Sequence, residues 1–537
     1  MVYPGGPSRG CYTCRARKVK CDETRPVCQR CVKGNWTCGG YRVLPSKTTS
    51  SKRSEQALRS PRYPSPAHKE KEPMTTKLAS LSTCPATILG DAQSQDQANL
   101  CAAFYSQLLR LPQVQGLHGG FLTTLPSILA ELKQPSSSPL PPALSALLLT
   151  FVSEKGNSKN RRAMTEAMGC YVKALQLTRQ LVEERSEQRA TEVIMTIFVL
   201  GMYEDFTCED HTKYTSNSHL EGAMAFVRTQ ECKDFVDGPS RKIYGAILAR
   251  AFFTCFDSKD NTPFILTIDE LHALHAALSK EKDTDVLILY TCTLLIIHLQ
   301  LREIEKGVCS PFSSEGALFN AAMEANHLLE SIVSIENQIS EWPSSLPSEW
   351  NYLTIQLPSD GSDLLRTDAQ VYSTFSAGND WARYRTLRIL IHTLRLRAFR
   401  LLANPLYTDN HSGYEYNDAQ LASLTSAIAV THGEIGALAN DICASMPYHL
   451  GYRDRSGTEL RYPSEAFPNE KYARRMSACQ VAWPLYVAGI VEGVDIEQRL
   501  WISRQLDFIN REMGIGKAAV LAEMVRRAAV LEVQGTL

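Results

Sequence analysis

Six cysteines between residues 11 and 38 constrain this chain more than any other feature of its sequence. They follow the pattern Cys11-x2-Cys14-x6-Cys21 and then, after six residues, Cys28-x2-Cys31-x6-Cys38. The last three positions repeat the first three at an offset of 17 residues. A C-x2-C turn brings two thiolates to one metal ion, and zinc prefers four such ligands in a tetrahedron. Six cysteines therefore serve two zinc ions only if two thiolates bridge both ions, and the repeat predicts that the bridging pair has the same offset.

The loop between the second and third cysteines is strongly basic. Its sequence is Arg15-Ala16-Arg17-Lys18-Val19-Lys20, with four cations in six residues. Six thiolates and two Zn²⁺ ions leave a net charge of about −2, so part of this positive charge compensates the cluster. The surplus is available for the phosphates of a nucleic acid. A disulfide-linked module is the alternative, but the first ten residues lack the apolar segment of a secretion signal.

This cysteine pattern resembles the fungal binuclear zinc-cluster family of transcription factors along its whole length. The resemblance implies two zinc ions per chain, which all six cysteines hold. It also implies that the first and fourth cysteines, Cys11 and Cys28, are the bridging ligands. In such a small module metal binding and folding are one process, so the loss of any ligand is expected to unfold it.

The same resemblance implies how the module binds double-stranded DNA. A short helix that begins near Cys14 is expected to present Lys18, with Arg17 beside it, to the major groove. Lys18 is expected to recognise a CGG-like triplet, because lysine and arginine suit the O6 and N7 atoms of guanine. Phosphate contacts are expected from Arg15, Lys20 and Lys33.

Charge is distributed unevenly along a chain whose formal net charge is zero. Residues 1–80 contain 17 Lys and Arg against 5 Asp and Glu, a net charge of +12, and the remainder carries −12. Only the basic N-terminal part, called the head from here on, is therefore expected to contact a polyanion, and the rest of the chain is called the body. Residues 42–97 are rich in Ser, Pro, Lys and Arg and bury too little apolar surface to fold, which predicts a disordered linker. The basic runs at 15–20 and 47–53 are typical of nuclear entry.

From about residue 98 the apolar pattern is helical, and alternating strand patterns are almost absent. The clearest stripes are Leu100, Phe104, Leu108 and Leu111; Tyr384, Leu387, Ile391, Leu394, Ala398 and Leu401; and Leu421, Leu424, Ile428 and Ile435. The apolar stretch from Val286 to Leu301 is too short and too polar to span a membrane, so a buried helix is predicted there. Segments 219–223, 442–451 and 483–485 resemble parts of a helical regulatory domain of the second fungal transcription-factor class.

Two features of the body resemble binding sites, but the sequence favours a structural role for each. Residues 514–517, Gly-Ile-Gly-Lys, resemble the end of a phosphate loop that lacks its first glycine and its magnesium-binding hydroxyl. The segment from Trp381 to Leu402 contains six arginines and no acid. In an acidic body these arginines are expected to pair with carboxylates on other segments. No G-x-S-x-G, H-E-x-x-H or Rossmann motif occurs, and an enzyme is not predicted.

The sequence therefore predicts a small zinc-cluster domain at residues 8–41 and a large all-α regulatory domain at residues 98–537, joined by a disordered linker at 42–97. The predicted function is a sequence-specific transcription factor of the RNA polymerase II type, which acts in the nucleus on double-stranded DNA and has no membrane partner. Transcription machinery or co-regulators are further expected partners. Homodimerisation stays open, because Pro85 interrupts the apolar pattern that follows Leu78. The alternative is a zinc head that binds protein or RNA.

Overall fold

A computed structural model describes two groups of residues. Near the N-terminus these are 14, 17, 19–24 and 28–34; in the body they are 124–125, 128–129, 132, 137–152, 158–184, 189–208, 218–229, 243–248, 250–251, 267–280, 286–308, 315–357, 364–403, 418–451 and 471–533. The chain divides into two compact units, Met1–Glu70 and Lys71–Leu537. The division falls within the predicted linker at 42–97, which lies outside the described residues. The predicted domain boundaries therefore stay predictions, and the stripe from Leu100 to Leu111 is also outside the described residues.

The N-terminal unit contains one short described helix, α1 (Gln29–Lys33). The body is mostly helical, as the sequence predicts. Its helices are α2 (Leu140–Val152), α3 (Ser158–Glu184), α4 (Ala190–Thr207), α5 (Ser218–Thr229), α6 (Ile268–Leu278), α7 (Val286–Val308), α8 (Glu315–Ser340), α9 (Trp342–Ser345), α10 (Phe375–Leu402), α11 (Asp418–Leu450), α12 (Lys471–Ile490), α13 (Ile496–Met513) and α14 (Gly516–Val533). Residues 243–248 and 250–251 are also helical.

Helix α10 lies at the centre of the body and packs against α7, α8, α11 and α12. Its predicted apolar stripe, from Tyr384 to Leu401, is buried as expected. Ile389 and Leu390, on another side of the helix, are buried as well, so the helix is enclosed by its neighbours rather than packed along one face. Its N-terminus is capped by Thr374, whose hydroxyl accepts a hydrogen bond of 3.1 Å from the backbone N–H of Ala377.

A short hairpin, which the sequence pattern does not predict, interrupts the helices. Strands β1 (Leu353–Gln356) and β2 (Asp368–Val371) pair antiparallel, with Leu353 opposite Val371. Strand β2 packs against α11, whereas β1 is mostly exposed and its Leu353 side chain is 70% exposed. Its sequence, Leu-Thr-Ile-Gln, alternates apolar and polar residues over only four positions, and the burial of its side chains does not follow that alternation.

Helix α7 extends to Val308, beyond the apolar stretch that ends at Leu301. Contrary to the sequence-based expectation, it is by length and composition long and apolar enough to cross a membrane, the one such helix among the described residues. Two-thirds of its apolar window, 67%, is buried inside the body. Leu294, Leu295 and Leu301 are each buried, and the helix packs against α6, α8 and α10. The prediction of a buried core helix from Val286 to Leu301 is confirmed by this packing.

The segment that resembles a phosphate loop is a helix junction. A Cβ atom on Gly516 would lie 2.1 Å from the backbone oxygen of Cys208, which caps the C-terminus of α4. Only glycine lets the N-terminus of α14 approach so closely. Lys517 Nζ lies 3.6 Å from Oδ1 of the buried Asp205, whose carboxylate also accepts hydrogen bonds of 2.6 and 2.9 Å from Arg250. The glycine and the lysine therefore serve packing and charge pairing between α4 and α14.

The arginines of α10 pair with acids on other helices, as predicted. Arg397 Nη2 lies 2.7 Å from Glu305 on α7, and Arg400 pairs with Glu492 after α12. Arg395 and Arg388 pair with carboxylates of α8 and α11, which are described below. Arg385 is 1% exposed, and its Nη1 donates a hydrogen bond of 2.7 Å to the Tyr372 hydroxyl. Most of the arginines of α10 thus pair with groups inside the body.

Candidate metal centre

Three thiols of the N-terminal unit converge at one buried point. Cys14, Cys28 and Cys31 are each 0% exposed. Their sulfur atoms lie within 4.8 Å of one another, with 3.7 Å between Cys14 and Cys28 and 3.9 Å between Cys14 and Cys31. Zinc–thiolate bonds of about 2.3 Å give a tetrahedron with sulfur–sulfur edges of about 3.8 Å. Each of the two observed sulfur–sulfur distances is close to such an edge, so these thiols suit the predicted zinc.

The fold brings the two halves of the cysteine repeat together. Cys14 belongs to the first half, whereas Cys28 and Cys31 belong to the second, and Cys31 lies on α1. Cys21 is partly buried against the three thiols, together with Val19. Cys11 and Cys38 lie outside the described residues. The structure therefore brings three of the six predicted ligands to one point, with Cys21 packed against them, and the bridging role of Cys11 and Cys28 stays a prediction.

Backbone N–H groups donate to two of the sulfur atoms. The N–H of Cys31 is 3.3 Å from Cys28 Sγ, and the N–H of Glu23 is 3.4 Å from Cys21 Sγ. Glu23 adopts a positive φ of 59°, an uncommon conformation for a residue other than glycine. Hydrogen bonds to a sulfur favour the thiolate over the thiol, and the thiolate is the metal-binding form. The backbone around the centre is thus arranged for charged sulfur ligands.

Asp22 connects the loop after the third cysteine to the second half of the repeat through hydrogen bonds. Its carboxylate accepts hydrogen bonds from the Thr24 hydroxyl, from the N–H of Gln29 at 3.0 Å and from the N–H of Arg30 at 2.7 Å. The Thr24 hydroxyl, together with the backbone N–H groups, holds the pKa of this carboxyl well below its usual value of 3.8. Asp22 therefore caps α1, the helix that carries Cys31, across seven and eight residues of sequence.

Removal of this cap is expected to weaken metal retention. In an Asp22→Ala variant, the N–H groups of Gln29 and Arg30 lose their acceptor, and the segment that places Cys28 and Cys31 is less well defined. We expect zinc to pass to a competing chelator several-fold faster than from the wild-type protein, as measured by the absorbance of a zinc-sensitive dye. The matched control is Glu23→Gln, which alters the neighbouring exposed acid and should release zinc at the wild-type rate. Equal release from both variants would show that the cap does not contribute.

The basic loop places its described cations on the surface. Arg17 and Lys20 are exposed, whereas Val19 between them is partly buried against the thiols. The N–H of Val19 donates to the backbone oxygen of Cys14 at 3.0 Å, which closes the turn after that ligand. Lys33, on α1, is exposed as well. Arg15 and Lys18, the other two predicted DNA contacts, lie outside the described residues.

Comparisons with known proteins agree with this geometry. The sequence model of the fungal Zn(2)-Cys(6) binuclear cluster domain matches residues 9–48. A domain of this kind binds two zinc ions through its six cysteines. The match includes the three converging cysteines and Cys21, together with Cys11 and Cys38.

Similar proteins are regulators of fungal genes, and the similarity is local. Arginine metabolism regulation protein II of Saccharomyces cerevisiae is 65% identical over 34 residues, 6% of this chain and 4% of that protein. Transcriptional regulatory protein moc3 of Schizosaccharomyces pombe is 38% identical over 93 residues, 17% of each chain. The aspercryptin biosynthesis cluster-specific transcription regulator atnN of Emericella nidulans is 42% identical over 55 residues, 10% of this chain and 9% of that protein. The matched segments thus span a small part of these relatives. No solved structure matches the chain significantly.

Proposed function

We propose that this chain, whose residues 9–48 form a fungal Zn(2)-Cys(6) binuclear cluster domain, is a sequence-specific transcription factor that binds double-stranded DNA. The observation that carries the proposal is the buried group of Cys14, Cys28 and Cys31, whose sulfur spacing suits zinc. Arg17 and Lys20, two cations of the basic segment that follows Cys14, are exposed. A metal centre with cations at its surface suits a polyanionic partner better than an apolar one.

All six cysteines of the repeat are proposed as the zinc ligands, with Cys11 and Cys28 bridging the two ions. The proposed DNA-binding residues are Arg15, Arg17, Lys18 and Lys20. Lys18 recognises the guanines of a CGG-like triplet, and its neighbours contact phosphates or flank the base contact. The helical body is proposed to regulate this activity, with transcription machinery or co-regulators as its partners, and the protein is proposed to act in the nucleus.

The Lys18→Ala variant tests the proposed base contact. It should weaken binding to a CGG-containing site by about 1–3 kcal/mol and leave binding to a scrambled site nearly unchanged. Zinc content should equal that of the wild-type protein, because the side chain is not a metal ligand. Affinities are measured for both sites at one fixed salt concentration, because phosphate contacts depend on salt.

Lys33→Ala is the matched control for this test. Lys33 is exposed on α1 and is proposed to contact phosphate, so its removal should weaken binding to the CGG and scrambled sites equally. If Lys18→Ala behaves in the same way as Lys33→Ala, Lys18 is a phosphate contact and does not determine the sequence. If neither variant changes DNA binding, the alternative of a head that binds protein or RNA is favoured.

A further inference from the structure

A completely buried histidine of the body lies between two carboxylates. His392, on α10, is 0% exposed, and neither ring nitrogen has a hydrogen-bond partner. Its Nε2 lies 3.4 Å from Oε1 of Glu336 on α8, and its Nδ1 lies 3.4 Å from Oε2 of Glu434 on α11. The imidazole thus occupies the point where three helices meet, with an acidic group on each side.

Two arginines of α10 complete the charged groups that face this ring. Arg395 Nη1 lies 2.7 Å from Glu336 Oε2, its Nη2 pairs with Glu434, and its Nε donates to the Thr431 hydroxyl at 3.1 Å. Arg388 Nη2 lies 3.7 Å from Glu336 Oε1. The junction therefore holds two carboxylates and two guanidinium groups around one imidazole. These charges balance only when the imidazole is neutral and both carboxylates are ionised.

That charge state conflicts with the hydrogen-bonding capacity of the ring. A neutral imidazole has one N–H donor and one nitrogen lone pair. A carboxylate oxygen lies 3.4 Å from each ring nitrogen. When both carboxylates are ionised, the ring nitrogen that carries the lone pair would therefore lie beside another hydrogen-bond acceptor. One additional proton removes this conflict. Burial, reinforced by Arg395 and Arg388, lowers the pKa of His392 to about 3. Burial raises the pKa of Glu336 above its ordinary 4.5, so an added proton is favoured on the carboxyl group over the ring.

A divalent metal ion fits this junction less well than a proton. The guanidinium of Arg395 already bridges the two carboxylates, and it places positive charge where a shared cation would stand. The two ring nitrogens face different carboxylates on opposite sides, so one ion would not use both. The unpartnered ring nitrogens are enclosed, with almost no accessible surface. A proton satisfies the ring without displacing any of these groups.

We infer that Glu336 and His392 bind one proton between them, with the Glu336 carboxyl donating to His392 Nε2 while His392 Nδ1–H donates to Glu434. This proton links α8, α10 and α11, and its loss leaves a partly buried carboxylate against the lone pair of the ring. The junction is thus a proton-binding site in the body. It is independent of the zinc centre and of the DNA-binding activity proposed for the head.

The two titrating groups affect stability in opposite directions. The raised pKa of Glu336 contributes stability that is fully present below its unfolded value of 4.5 and is lost as pH rises through the folded pKa. The lowered pKa of His392 contributes stability that is present above its unfolded value of 6.5 and is lost as pH falls toward about 3. A variant that keeps His392 and removes only the Glu336 titration isolates the first contribution.

Glu336→Gln is that variant, because a glutamine amide has the donor and acceptor arrangement of a protonated carboxyl. Thermal unfolding of the full chain is measured from about pH 5 to about pH 8.5. We expect the variant and the wild-type protein to have similar Tm values at the acidic end. As pH rises, the wild-type protein should become the less stable of the two. The exposed Glu330→Gln, on the same helix, should follow the wild-type protein throughout.

The opposite stability profile would overturn the inference. If Glu336 is ionised and simply paired with the two arginines, Glu336→Gln should be less stable than the wild-type protein by a constant amount. Infrared difference spectra give a second reading that does not depend on unfolding. At the acidic end of this pH range the wild-type protein should show the carbonyl stretch of a protonated carboxyl group that Glu336→Gln lacks. Identical spectra would equally contradict the proton site.

Discussion

Replacement of Cys28 by serine is expected to release both zinc ions and to abolish DNA binding by the full chain. Cys28 is 0% exposed, and its sulfur lies 3.7 Å from that of Cys14. A serine hydroxyl is not ionised at neutral pH and does not replace a thiolate ligand. A structural zinc site supplies roughly 10–16 kcal/mol of folding free energy in small zinc modules. If Cys28 bridges the two ions, as proposed, its loss should remove most of the free energy that holds the zinc-cluster domain together.

The zinc content per chain tests whether Cys28 is needed to hold both ions. It is measured by atomic emission on dialysed protein, with DNA binding measured on the same samples. Because the loss of a ligand is expected to unfold the module, Cys28→Ser should retain neither zinc ion. The control is Cys170→Ala on α3 in the body, which should retain two zinc ions and full DNA binding. Retention of one tightly bound zinc ion by Cys28→Ser would contradict the bridging role.

Replacement of Arg499 by methionine should strongly destabilise the body. Arg499 lies on α13 and is 1% exposed. Its guanidinium donates hydrogen bonds to three backbone oxygens at the end of α12 and beyond: Gly489 at 2.8 Å, Val491 at 2.9 Å and Val494 at 3.2 Å. Methionine fills much of the same volume but leaves three buried acceptors without these donors. We expect a loss of about 3–5 kcal/mol, seen as a lower Tm and a lower urea midpoint.

Arg504→Met on the same helix is the matched control for Arg499→Met. Arg504 is exposed, so its replacement should change the free energy of unfolding by less than about 0.5 kcal/mol. Zinc content should be normal in both variants, because neither residue belongs to the head. If the two variants have equal stability, the three hydrogen bonds of Arg499 do not hold the turn between α12 and α13.

The zinc centre could be predicted from the sequence because its ligands are local and chemically specific. Cysteines at fixed spacing in a short segment leave few arrangements open, and Cys14, Cys28 and Cys31 lie together as that spacing requires. Asp22 was missed, although it caps α1. Its partners lie seven and eight residues further along the chain, beyond the three-residue spacing of a local cap. The capping role of Asp22 can be recognised only in the folded structure, where the loop between the two halves brings its carboxylate to the start of α1.

The helices of the body were predictable in type, but their pairing was not. The Tyr384–Leu401 and Leu421–Ile435 stripes have helical spacing, and both segments are helical. Leu421 is nevertheless 49% exposed. The strand β1 alternates apolar and polar residues over only four positions and is mostly exposed, so its pattern is too short to identify a strand. Pairing of arginines with acids was predictable from the charge balance, but the position of His392 between Glu336 and Glu434 depends on the packing of three distant helices.

Selection from a random pool of double-stranded DNA tests the central proposal most directly. The zinc-loaded full chain is incubated with the pool at physiological salt, and the bound DNA is sequenced over several rounds. The proposed function predicts enrichment of sites that contain a CGG-like triplet, and the spacing of repeated triplets would report whether the protein binds as a dimer. Lys18→Ala should lose this enrichment while it retains zinc. A pool that stays unenriched with the zinc-loaded wild-type protein would contradict sequence-specific DNA binding.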